Sequence, residues 1–112
     1  MPLVLWEENT FGVTNPEAAA LVLDSWNFPQ DQTVGLRCQY QPDHAPRSNR
    51  FSRMLNIACG IAEKAGYPLP GEAGYWSFEE DCLAEAELTL NHVKSATGYV
   101  KDKFGRILKA VA

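Results

Sequence analysis

The chain has 112 residues, 46% hydrophobic and 21% charged, with a formal net charge of −4. This composition excludes wholesale disorder, and the length predicts one domain, residues 1–112, with a single core. The negative balance disfavours a general nucleic-acid binder, because neutralising phosphates needs a basic face.

The opening MPLVLWEEN has no basic lead and turns acidic after a few apolar residues, which predicts no secretory signal. Residues 3–6, LVLW, read as a short strand, turned by Glu7 to Thr10, with Phe11 to Thr14 pairing back. In TNPEAAALVLDSW, Asn15 is a good cap, Pro16 fits the first helical position and Glu17 complements the dipole. That helix is expected to end near Trp26, ahead of Asn27-Phe28-Pro29. Thr33 to Gln41 alternates strictly, with Val34, Leu36, Cys38 and Tyr40 on one side, and predicts a half-buried strand. Pro42 and Pro46 bracket a polar loop.

The best-defined element is Arg50 to Gly66. Helical spacing puts Phe51, Met54, Leu55, Ala58, Ile61, Ala62 and Ala65 on one face, and Ser52, Arg53, Asn56, Gly60, Glu63 and Lys64 on the other. Ser48 or Asn49 caps its start and Gly66 stops it. Tyr67 to Trp76 holds two prolines, two glycines and three aromatics, so it reads as a loop. Ser77-Phe78-Glu79-Glu80 has capping-box spacing and opens a helix burying Phe78, Cys82, Leu83, Ala86, Leu90 and Val93. Thr97-Gly98 ends it. The last segment reads as a hairpin turning at Asp102-Lys103-Phe104-Gly105, in preference to a helix running on to Ala110, because Gly98 and Gly105 would each cost that helix about 1 kcal/mol. The sum is an α+β fold, a small antiparallel sheet with three helices packed on one face.

Catalytic and metal motifs do not emerge. No CxxC, HxxxH or HExxH occurs, and Gly71 and Gly74 match neither glycine-rich phosphate motif. Cys38 and Cys82 read as small buried hydrophobes, and Cys59 is the thiol best placed to be reached. Three widely spaced cysteines suit a reducing, cytoplasmic compartment, and no apolar run approaches the roughly 20 residues that span a bilayer.

The conspicuous features are therefore surface ones. Arg47, Arg50 and Arg53 recur every three residues at a helix start, where exposed amides favour anions. Tyr67, Tyr75 and Trp76 supply contact area of the kind that dominates interface hot spots. Glu80, Asp81, Glu85 and Glu87 form an acidic face able to imitate phosphate, with Leu88 an apolar residue among them. Against each stands a plainer reading: arginines paired with the acids, aromatics folded onto the core, acids that only keep the chain in solution.

These features predict a small regulator or inhibitor that occupies the surface of another protein, with no cofactor, no metal and no membrane partner. An exposed edge strand at either terminus would allow a homodimer. The first alternative is a nucleic-acid-associated regulator using Arg47, Arg50, Arg53 and the basic C-terminal hairpin. The second is an enzyme with a composite pocket around Cys59, His44 or His92.

Overall fold

Helix caps, more than strand alternation, organise this chain. A computed structural model of the protein describes residues 3–46, 48–68, 71, 72, 76, 78 and 80–111, with only the backbone of Glu80 and Asp81. Six helices follow one another among these residues: α1 (Leu3–Phe11), α2 (Asn15–Ser25), α3 (Gln30–Arg37), α4 (Arg50–Lys64), α5 (Glu80–Glu85) and α6 (Leu90–Val111), with a 3-10 turn at Pro42–His44. No strand occurs among them, so the expected α+β architecture is wrong and the fold is helical.

Each departure has a local cause. Residues 3–6 are the first turn of α1, since so short an apolar run has no period of its own and the chain continues helically to Phe11. Gly12, at φ 74°, ends it with its N–H donating to the Glu8 carbonyl at 2.9 Å. α2 starts close to the expected point, but Thr14 and not Asn15 caps it, its hydroxyl accepting from the Glu17 N–H at 3.4 Å.

The alternating stretch becomes α3, led in by Pro29, with Asp31 in the first turn and Arg37 in the last. Thr33 and Gly35, placed on the wet face by alternation, are the buried residues. Gly35 is needed there: an added Cβ would lie 2.5 Å from that of Phe51, so only glycine lets α3 approach α4 this closely.

α4 occupies the centre, packed by α3, α5 and α6. Its start at Arg50 and its end at Lys64 match the sequence reading, but its roll does not. Ser52, Arg53, Asn56, Ile57 and Gly60 face inward, while Phe51 and Met54 are exposed. Asn49 caps the helix by accepting from the Ser52 N–H at 3.2 Å.

The acidic helix is shorter than expected. Its backbone turns left-handed at Glu87 (φ 60°), where the Leu88 N–H donates to the Leu83 carbonyl at 2.8 Å. A second cap follows at once: the His92 N–H donates to the Thr89 hydroxyl at 3.3 Å and the Thr89 N–H to His92 Nδ1 at 3.0 Å. Thr89-x-x-His92 is thus a capping box in which histidine takes the usual glutamate's place. The box expected at Ser77–Glu80 lies outside the described residues.

α6 then runs through both glycines that argued for a hairpin, so the hairpin is also wrong. Nothing lies within 4 Å of a Cβ built on Gly98 or Gly105, which project away from the packing face. Ile57, Leu83, Ala86 and Val93 form the buried cluster, with Ile61, Phe78, Cys82 and Leu88 packed against it.

Candidate functional site

The arginine series meets the acidic helix within the molecule. Arg53 extends from the inward side of α4, and its side chain is 3% exposed. Its Nε pairs with the Glu85 carboxylate, and its Nη1 donates to the carbonyls of Asn49 at 2.8 Å and Pro46 at 3.1 Å. Arg50 lies at the rim, where its Nη2 donates to the Ala86 carbonyl at 3.1 Å and stands 3.5 Å from the Glu87 carboxylate. These two arginines therefore tie α4 to the end of α5. Arg47 and Tyr75 lie outside the described residues, as do the side chains of Glu80 and Asp81.

The aromatic and apolar candidates go to separate places. The Trp76 ring packs on Tyr40 with centroids 5.0 Å apart, and Tyr67 meets Phe104 of α6 edge-on at 4.4 Å. Leu88 packs against the buried cluster and forms no patch with the loop aromatics. Among the described candidates, Trp76, Tyr67 and Leu88 thus pack against three different neighbours.

A polar network ties α1 to the middle of the chain. Glu7 accepts from the Asn15 backbone N–H at 3.0 Å and from its Nδ2 at 2.8 Å. Asn15 Nδ2 also donates to the Tyr40 hydroxyl at 3.3 Å, and that hydroxyl donates to Glu72. Burial, then the bond to Glu72, pushes the Tyr40 phenol far above its usual range, so it remains a donor. An open cleft of about 690 Å³ lies beside it, lined by Glu8, Glu17, Arg37, Cys38 and His44 among others.

Of the three cysteines, Cys38 lines this cleft. Cys38, Cys59 and Cys82 are half-buried. Burial, and secondarily the Glu72 carboxylate, raises the Cys59 thiol above its ordinary value, which disfavours the reactive thiolate. Among the described residues no group of three or more His, Cys, Asp and Glu could hold a metal ion.

An exposed apolar stripe on α6 is a feature that sequence reading missed. Val93, Thr97, Val100, Phe104, Ile107, Leu108 and Val111 recur at three- and four-residue steps and share one side of α6. At Val93 that side is sealed, 1% exposed; by Val111 it is 75% exposed. Phe104, Ile107 and Leu108 in between are also exposed. The stripe continues past the core it began in. Lys101 and Lys103 border it on either side, and Arg106 is held by Asp102 at 3.2 Å. The signal was present in the spacing and was outweighed by the two glycines.

Comparison with known proteins adds no relative: no protein family, curated protein or solved structure matches the chain.

Proposed function

We propose that the protein is a small interaction module, a regulator or inhibitor that acts by occupying a surface of another protein, in the cytoplasm. The observation that carries this reading is the apolar stripe of α6, which serves the core at Val93 and lies open from Phe104 to Val111. An amphipathic helix laid into a partner's groove is a recurrent mode of recognition, read at i, i+3, i+4 and i+7 anchors. Fifteen large hydrophobic residues are exposed among those described, while Ile57, Leu83 and Val93 are the only buried residues larger than alanine in the hydrophobic core. Of the fifteen, Phe104, Ile107, Leu108 and Val111 follow one another along one side of α6, and exposed apolar residues grouped in this way mark interaction sites. Arg50 and Arg53 make internal ties to Glu87 and Glu85, which favours α6 and its lysines as the docking element. Nothing in the comparisons points to an enzyme. The cytoplasmic assignment is supported by the wide spacing of the three cysteines, which suits a reducing compartment.

Replacing Ile107 and Leu108 with aspartate tests the reading. Both are exposed, so unfolding free energy should change by no more than about 0.5 kcal/mol. Proteins retained from the native host by the wild-type chain should be lost by this variant. Recovery of the same proteins in the same yield would overturn the proposal.

A further inference from the structure

Charge divides this chain sharply. Residues 1–89 carry five basic and thirteen acidic side chains, a balance of −8, whereas residues 90–112 carry five basic and one acidic, a balance of +4. The basic part is α6, with its open apolar stripe. The acidic part contains a groove of about 300 Å³ between α2 and α3, floored by Ala20 and Thr33. Leu21, 68% exposed, stands on its α2 rim between Glu17 and Asp24, and the α3 rim carries Gln30 and Arg37.

We infer that the outer half of α6 docks in the α2–α3 groove of a second copy of this chain. The stripe at Phe104 and Leu108 covers Leu21 and the groove floor, and Lys101, on one edge of the stripe, faces Glu17 and Asp24. Arg37 on the opposite rim repels the other edge, which fixes the roll of the incoming helix. Complementary charge favours this occupant over an anionic lipid surface, because the −8 carried outside α6 would be repelled by such a surface. Two reciprocal contacts about a twofold axis fill both grooves, whereas a single contact would add copies without end. This goes beyond the proposed function by naming an occupant, and rests on the same reading of α6.

Sedimentation velocity tests it over about a hundredfold range of protein concentration. The wild-type chain should pass from monomer to dimer, with the dimer weakened about tenfold or more between low salt and about 0.5 M salt. Lys101→Glu should weaken pairing about tenfold or more, as should Leu21→Lys with Asp24→Lys; all three residues are exposed, so folding should survive, checked by helical circular dichroism. Mixing the two reversed variants should restore a dimer, which no general loss of stability could do. A wild-type chain monomeric throughout, or pairing indifferent to both reversals, overturns the inference. So does a monomer that instead floats with phosphatidylserine vesicles. A monomer whose Ile107 and Leu108 variant still loses its captured proteins refutes self-pairing alone and leaves the interaction reading in place.

Discussion

Arg53 is nearly inaccessible, and its guanidinium is satisfied by one carboxylate and two carbonyls. Removing one partner of a buried pair is far more harmful than the pair is helpful, because the other charge is left stranded. Arg53→Ala should therefore cost about 3 kcal/mol in urea unfolding, near the lower end for such pairs because Glu85 is 32% exposed and regains water. Glu85→Gln should cost less. Tyr40 makes a second prediction at this scale. Its folded pKa is raised above the ordinary 10.0, so the stability it contributes is complete below about pH 10 and is lost as pH rises beyond it. The stability difference between wild type and Tyr40→Phe should shrink above that pH. A constant difference would show that the Glu72 bond does not discriminate the protonated phenol. The three-residue spacing of the arginines was legible in the sequence, but the inward direction of Arg53 was not. It depends on carbonyls of Pro46 and Asn49 and on a carboxylate 32 residues away, and local pattern locates none of these.

At the level of elements, caps proved better guides than periodicity. The start of α2, to within one residue, and both ends of α4 were readable because Pro16, Asn49 and Gly66 act on neighbouring backbone groups, a purely local effect. α1 and α3 were misread because four to nine residues cannot distinguish a two-residue period from tertiary packing. The roll of α4 was misread because its polar side chains find partners inside: Asn56 Nδ2 donates to the Gln39 carbonyl at 2.8 Å, for example. Glycine substitutions separate these cases. Gly98→Ala and Gly105→Ala should each stabilise the chain by about 0.5–1 kcal/mol, since both positions are helical and open. A hairpin with Gly105 left-handed would give the opposite sign. Gly35→Ala should destabilise by about 1–3 kcal/mol despite the same gain in helix propensity, because its methyl meets Phe51. Thermal unfolding of the three variants checks all of this.

The whole molecule is less economical with surface than its size requires. It exposes 7516 Å², against about 6,100 Å² for a compact protein of this mass. Its radius of gyration is 15.1 Å, against about 13 Å. Denaturant sensitivity tracks surface newly exposed on unfolding, so the urea m-value should fall at the low end of the usual range, about 1–3 kcal/mol/M. A value near the top would mean that the free chain closes further in solution. None of this excess was legible from composition, which is that of an ordinary globular domain. The course of α6 through Val93 and Val111 adds a geometric constraint: anchor and tip belong to one rod, so their angular phase is locked. One residue inserted near Gly105 would swing the tip by about 100° and turn its oily edge elsewhere, with the anchor undisturbed. Inserting a full heptad would lengthen the rod by about 10 Å and return the edge almost to its original bearing.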